Sequence, residues 1–322
     1  MKARIMGTGS YYPELVITNH DLEKVMETND EWIRQRTGIK ERKFSNYNTS
    51  YLAYLSAVSV IDNTKIDKEE IDLIVVATFS PDNLSPSCAN DVVRQLKLTR
   101  DVPSFDLNAG CSGFIYGLKV CQAMIESEMY QTILLIGAEN ISKVTNFTDR
   151  SSAVLFGDGA GAVIIKADSR GIIDTMIANK IDSKKALIVG NGIDIKTPFT
   201  ENLCSNPKYI QMNGQEVFKF ATNVFVKSLK EIINNNNLTF TDIKYIVPHQ
   251  ANLRIIEYAA KMLQIENEKF IVNLDKVGNT SAASVPLALD DLNKQGQLKK
   301  GDKIILIAFG SGLTYGTSLL EW

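Results

Sequence analysis

The sequence predicts a duplicated α/β fold, and two observations carry that expectation. Short β-branched runs alternate with longer stretches of helical spacing, and one series of three such runs occurs twice. Composition sets the scale. At 322 residues, 44% hydrophobic and 22% charged, the chain suits one compact body built from two intimate halves. A net charge of only −2 speaks against nucleic acid or an anionic membrane as a partner.

From the start, Met1-Lys2-Ala3-Arg4 is basic, but no apolar run of signal-peptide length follows and no later segment could span a bilayer. A cytoplasmic protein is the expectation. Asn19 ahead of Asp21-Leu22-Glu23, and Thr28-Asn29-Asp30 ahead of Glu31-Trp32-Ile33, place capping side chains and acids at two helix starts. Ile71-Asp72-Leu73-Ile74-Val75-Val76 reads as a strand. Phe105-Asp106-Leu107-Asn108 then leads through a glycine into Cys111-Ser112-Gly113, and the strand Ile133-Leu134-Leu135-Ile136 comes next. The second half repeats the series: Ile243-Lys244-Tyr245-Ile246-Val247, then Ile271-Val272-Asn273-Leu274 into Gly278-Asn279-Thr280-Ser281, then Ile304-Ile305-Leu306-Ile307. Strand, strand into a small-residue turn, strand is thus written twice. The halves fall at about residues 1–172 and 173–322, two apolar helices lie between two sheets, and Cys111 and Asn279 stand at corresponding helix starts. Asn234-Asn235-Asn236-Asn237 reads as a solvated turn.

Chemistry can rest on few residues here. The four cysteines, Cys88, Cys111, Cys121 and Cys204, form no C-x-x-C pair, and two histidines are too few for a conventional zinc site, so neither a metal nor a disulfide framework is expected. Cys111 sits at a sharp strand-to-helix turn among small neighbours. There, backbone N–H groups and the positive end of the helix dipole lower a thiol pKa, although simple packing explains the position equally well. His249 ends the run Tyr245-Ile246-Val247-Pro248, at the strand end where α/β folds place function, while His20 reads as a surface residue. Asn279 is either a helix cap or an amide donor. Gly310-Ser311-Gly312, after another strand, could bring a backbone N–H to an oxyanion. Gly157-Asp158-Gly159-Ala160-Gly161-Ala162 matches a dinucleotide-binding string, but Val163-Ile164-Ile165 follows where a helix is required, so a tight turn between two strands is the better reading.

Taken together, the segment around Cys111, Pro248-His249-Gln250-Ala251-Asn252-Leu253-Arg254, Gly278-Asn279-Thr280-Ser281-Ala282-Ala283-Ser284 and Gly157-Asp158-Gly159-Ala160-Gly161 resemble the β-ketoacyl-acyl-carrier-protein synthase III family over nearly the whole chain. The resemblance implies the thiolase fold, a duplicated five-layer αβαβα arrangement, a homodimer, and a condensing enzyme with no cofactor beyond its acyl-coenzyme A substrate. It implies that Cys111 takes an acyl group, with the backbone N–H groups of Cys111 and Ser311 as oxyanion hole. His249 and Asn279 then stabilise the enolate formed when malonyl-acyl carrier protein loses carbon dioxide. The family usually has glycine where Ser311 stands. Thr28, Trp32, Arg36, Arg150 and Asn252 stand at its coenzyme A contacts, with Trp32 and Arg150 sandwiching adenine, and Lys219, Arg254 and Lys261 at a basic patch for the carrier protein.

In the loop Phe79-Ser80-Pro81-Asp82-Asn83-Leu84-Ser85-Pro86, short-chain members of the family often carry a bulky aromatic where this chain has Ser85. That side chain closes the partner subunit's acyl pocket, so its loss implies room for longer acyl chains, unless Leu84 turns inward. Two alternatives stand beside this reading. One is a specialised-metabolism condensing enzyme of the quinolone or resorcinol type, and the other a non-catalytic carrier-binding subunit. A degradative thiolase is disfavoured because no cysteine follows Cys204, and an elongating synthase because Asn279 stands where a second histidine is needed.

Overall fold

The computed structural model describes residues 1–190, 197–201 and 206–322, so Cys204 lies outside the described residues. In chain order the first half runs β1 (Lys2–Tyr11), β2 (Leu15–Thr18), α1 (Asn19–Glu23), α2 (Asp30–Thr37), β3 (Glu41–Phe44), α3 (Thr49–Thr64), β4 (Leu73–Ala77), α4 (Cys88–Leu96) and β5 (Ser104–Leu107). It continues with α5 (Gly113–Glu126), β6 (Thr132–Glu139), α6 (Arg150–Ala153) and β7 (Gly159–Asp168). Five strands make one sheet in the order β1-β7-β6-β4-β5, with β4 parallel to β5 and β6, and β7 antiparallel to β6 and β1.

The rest of the chain adds β8 (Ile172–Asn179), β9 (Leu187–Ile188), β10 (Gln211–Met212), α7 (Gly214–Asn235), β11 (Tyr245–Pro248), α8 (Leu253–Leu263), α9 (Leu274–Val277), α10 (Ser284–Lys294), β12 (Lys303–Phe309) and β13 (Thr314–Glu321). Its sheet has the order β11-β12-β13-β8. Apolar side chains decide the stacking. Phe114, Leu118 and Ile125 of α5 and Val285, Leu289 and Leu292 of α10 share one core with Leu73 and Leu135 of the first sheet and Leu306 of the second. The outer face of the first sheet packs on α3 and α4, and that of the second on α7 and α8. The result is five layers, α/β/α/β/α, with two helices fully enclosed between the sheets. β4 and β6 are covered on both faces, which is why they read as unbroken apolar runs rather than alternating ones.

Four details depart from the sequence reading. The run 271–273 is not a strand: Ile271 N donates to Ile246 O at 2.9 Å beside a single parallel bridge, and the chain turns into α9. The buried Gln250 amide takes over the remaining ladder positions, donating to Ile271 O (3.0 Å) and accepting from Asn273 N (3.0 Å) and Leu274 N (3.2 Å). Consequently Asn279 follows a short helix, not a strand. The glycine string at 157–161 enters β7 but comes from α6 rather than from a strand, because Asp149 caps a helical turn there. Helix α7 continues through Asn234 and Asn235, leaving the turn to Asn236 and Asn237. Finally, Thr18 rather than Asn19 caps α1, while the buried Asn19 amide donates to Asp30 and to Ile39 O.

Candidate active site

Cys111 lies in a 3₁₀ turn, Gly110–Ser112, at the mouth of α5. Gly110 has φ +53°, and a Cβ there would stand 2.3 Å from Ser311 Oγ, so the nucleophile turn closes directly onto the 310–312 turn. Thr314 fixes the two together: its hydroxyl bonds Ala109 O (2.9 Å), Ser112 Oγ (3.2 Å) and Ser311 O (2.9 Å). Sequence reasoning expected the helix start to lower the thiol pKa. Burial wins instead and pushes Cys111 up to about 12, with the nearby Glu139 carboxylate adding to the rise.

His249 follows β11 and is buried. Its Nδ1 lies 2.6 Å from Ser284 Oγ, and the Phe309 ring stands edge-on at 5.4 Å. Burial holds its pKa down to about 3, so the ring is neutral. Asn279 is placed by its backbone, which donates to Leu155 O (2.8 Å) and accepts from Gly157 N (3.0 Å). Its Oδ1 accepts from Ser281 N (2.9 Å), leaving Nδ2 to act as a donor. Gly278, at φ +68°, makes this approach possible, since a Cβ would sit 2.8 Å from Leu155 O. Behind the same segment the buried Arg42 donates to Val154 O at 2.7 Å.

Cys111, His249 and Asn279 all line one cavity of about 280 Å³, whose wall also includes Phe220 and Phe309. Trp32, Arg36 and Asn252 line it too, and Arg36, Asn252 and Arg254 border an adjoining, more open recess. A thiol, a neutral imidazole and an amide donor converging on a mostly apolar cavity suit acyl transfer followed by stabilisation of a carbonyl-derived anion.

The comparisons with known proteins agree with this chemistry. Family models described as 3-oxoacyl-[acyl-carrier-protein] synthase III and its C-terminal part match residues 105–190 and 233–322. The β-ketoacyl-[acyl-carrier-protein] synthase III of Clostridium acetobutylicum is 48% identical over 99% of this chain and 98% of its own. The chain belongs to the synthase III family. The crystal structure of 3-oxoacyl-[acyl-carrier-protein] synthase III from Aquifex aeolicus superposes with a TM-score of 0.92 at 40% identity, covering 99% of this chain and 100% of that one. The priming β-ketosynthase of the R1128 polyketide pathway follows at 0.90 and 30%, covering 99% and 96%. The five layers are thus those of the thiolase fold.

Several positions singled out by likeness to the synthase III family are engaged otherwise in this chain. Arg150 rests on the Trp32 ring at 5.2 Å and donates to Glu27 O at 3.0 Å, so an adenine between the two requires Arg150 to lift away. The Asn252 side chain caps α8 and donates to Arg36 O at 2.9 Å. The Thr28 hydroxyl is buried and has no hydrogen-bond partner among the described residues. Lys219 and Lys261 are exposed, whereas the Arg254 guanidinium lies 5.6 Å over Phe218. Leu84 is 73% exposed and Ser85 is exposed, and neither lines this chain's own cavity. His20 is a surface residue, 3.1 Å from Glu23. Sequence reasoning missed Ser284 and Thr314, whose partners lie far away in the chain. It also missed Glu139, for which there was a signal: an acid directly ending an apolar strand.

Proposed function

We propose that this chain condenses an acyl-coenzyme A primer with malonyl-acyl carrier protein, the step that opens fatty acid synthesis. The observation that carries this reading is the convergence of Cys111, His249 and Asn279 on one cavity. In the first half-reaction the Cys111 sulfur attacks the thioester carbonyl, and the oxyanion is held by the backbone N–H groups of Cys111 and Ser311. Coenzyme A leaves as its thiolate and takes a proton from water. In the second, the malonyl thioester loses carbon dioxide and its carbonyl oxygen becomes an enolate oxygen, which His249 and Asn279 stabilise as hydrogen-bond donors. The enolate carbon attacks the acyl-cysteine, and sulfur departs.

A neutral His249 donates from Nε2 only as the tautomer whose Nδ1 accepts, and the Ser284 hydroxyl at 2.6 Å can supply the donor that selects it. Burial keeps His249 neutral, and so in this role, near neutrality. Trp32, Arg36 and Asn252 line the cavity and Arg150 lies over the Trp32 ring, which supports entry of coenzyme A on that side with Thr28 as a further contact. Lys219, Arg254 and Lys261 form the docking patch for the acidic carrier. Among the described residues the outer edge of β5 is unpaired, which supports a homodimer formed by joining two such edges. No cofactor is needed, and the site of action is the cytoplasm. Incubation with acyl-coenzyme A followed by mass spectrometry tests the reading: an acyl adduct on Cys111 is expected, and its absence across acyl chain lengths would overturn it.

A further inference from the structure

Two hydrogen-bond donors serve one oxyanion only at a fixed spacing, since each must stand about 2.7–3.1 Å from the oxygen as it gains charge. His249 and Asn279 reach the cavity from different elements, His249 from the end of β11 and Asn279 from the segment after α9. Among the described residues no strand ladder spans the gap between them. The backbone bridge that joins β11 to the run before α9 stops at Ile246 and Phe270, short of both donors.

Gln250 spans it. The residue follows His249 directly and is fully buried. Its amide nitrogen donates backward to Pro248 O at 2.7 Å, which closes the chain around His249, and across to Ile271 O at 3.0 Å. The amide oxygen accepts from Asn273 N at 3.0 Å and Leu274 N at 3.2 Å. Both of its donors and both of its lone pairs are thus used, so neither a carboxylate nor an apolar chain of the same length can take its place without leaving buried backbone groups unpaired.

From Leu274 the path continues. Leu274 O accepts from Gly278 N at 2.9 Å across the single turn of α9, and Gly278 precedes Asn279. An unbroken run of hydrogen bonds therefore joins the residue after His249 to the residue before Asn279. Each donor also has an anchor of its own: His249 N donates to Ile307 O at 2.7 Å, and the Asn279 backbone is tied to Leu155 O and Gly157 N. Those anchors hold each donor to its neighbours, and Gln250 fixes one donor against the other. Cys111 lies off this path. Its turn is held by the Thr314 hydroxyl on Ala109 O, Ser112 Oγ and Ser311 O, contacts in which Gln250 has no share.

We propose that Gln250 is a positioning residue for the decarboxylation step, setting the spacing of the His249 and Asn279 donors without affecting the nucleophile. It does not line the cavity and acts through the two donors alone. The assignment rests on the reading of His249 and Asn279 as the pair that holds the enolate oxygen.

The test measures the half-reactions separately in the full chain: Cys111 acylation by octanoyl-coenzyme A with time-resolved mass spectrometry, and decarboxylation of malonyl-acyl carrier protein without any acyl-coenzyme A. Gln250→Met removes all four hydrogen bonds at similar volume, and Gln250→Glu keeps the two accepted ones but sets oxygen against Pro248 O and Ile271 O. Each is expected to slow decarboxylation on the order of 10- to 10²-fold while changing acylation less than about threefold. The double variants discriminate further. Spacing matters only while both donors are present, so in an Asn279→Ala or a His249→Ala background the Gln250→Met effect is expected to shrink to less than about threefold. A loss that persists in either background, wild-type decarboxylation in the single variants, or an equal fall in acylation overturns the proposal. If Gln250→Met fails to fold, Gln250→Glu carries the same comparison, and failure of both assigns Gln250 to folding and overturns the proposal as well. Should His249→Ala and Asn279→Ala themselves decarboxylate at the wild-type rate, the reading of the pair falls and the positioning role with it. Slow donor variants beside unaffected Gln250 variants remove the positioning role alone.

Discussion

In the first half, β5 runs as a strand into the Gly110–Ser112 turn and α5. In the second, the matching run makes one bridge to β11, passes through α9 and reaches Asn279 before the Ser281–Ala283 turn and α10. Both turns end in a helix enclosed between the sheets, but only the first places its chemical group inside the turn. The second places it two residues earlier, on a backbone pinned to residues 155 and 157. The difference fits the two tasks. A nucleophile must move its electrons to substrate and needs neighbours that handle its proton, whereas an amide donor need only be held still.

The largest test of this division is by half-reaction. Cys111→Ala abolishes the acyl adduct and condensation but leaves malonyl decarboxylation. His249→Ala and Asn279→Ala retain the adduct and lower condensation, each on the order of 10²- to 10³-fold. Mass spectrometry of the adduct and product assay from malonyl-acyl carrier protein separate the two. If His249→Ala removed acylation while sparing decarboxylation, the roles would be reversed.

The next effect is on stability, and compares the two turn glycines. Both have positive φ, but the Cβ of Gly278→Ala meets a backbone carbonyl at 2.8 Å, whereas that of Gly110→Ala meets the Ser311 hydroxyl, which can rotate aside. Gly278→Ala is expected to cost about 2–3 kcal/mol and Gly110→Ala about 1 kcal/mol, read as unfolding midpoints in denaturant. A larger loss for Gly110→Ala would mean that the first turn, not the second, is the more rigid.

Glu139 in the first half and His249 in the second are both buried, and the two act in opposite directions. His249 is depressed from 6.5 to about 3, so below pH 6.5 the unfolded chain binds a proton that the folded chain refuses, and stability falls toward pH 3. Glu139 is raised from 4.5 to about 7, so its contribution is fully present below pH 4.5 and is lost as pH rises through 7. Between pH 4.5 and 6.5 they offset each other. Glu139→Gln should therefore make stability fall more steeply over that window than in the wild type, measured by denaturant unfolding at stepped pH. An unchanged slope would show that Glu139 is not raised.

Much of this was legible in the sequence because it is written in local pattern. The repeat marked β4, β5 and β6 of the first sheet, β11 and β12 of the second and both enclosed helices, although its run 271–274 is no strand, and small-residue runs marked the turns that carry Cys111 and Asn279. What escaped was non-local. Nothing near Gln250 announces that its amide will replace a strand's ladder, and Ser284 finds His249 only through packing. The Cys111 pKa failed for a related reason: the helix dipole is a local feature, whereas the desolvation that outweighs it depends on the whole fold.

The smallest expected effect concerns acyl length, and extends the comparison to the edge of the first sheet. The loop carrying Leu84 and Ser85 leads into α4, whose first N–H groups, at Cys88 and Ala89, donate to Asp106 of β5 at 2.8 and 2.9 Å. It therefore stands at the free sheet edge, where a second copy would join. Leu84 is 73% exposed and Ser85 is exposed, so both are available to a partner's cavity rather than their own. A serine there fills little volume, and each further methylene buried in the acyl pocket contributes about 0.8 kcal/mol, roughly fourfold in affinity. Medium-chain acyl-coenzyme A is accordingly expected to acylate Cys111 at least as efficiently as acetyl-coenzyme A. Ser85→Phe should impose a preference for short chains, because the ring occupies the space that the added methylenes need. Acylation efficiency measured from acetyl to octanoyl decides the matter. A steady fall in the wild type would mean that the pocket is closed by something other than residue 85, and Ser85→Phe would then change little.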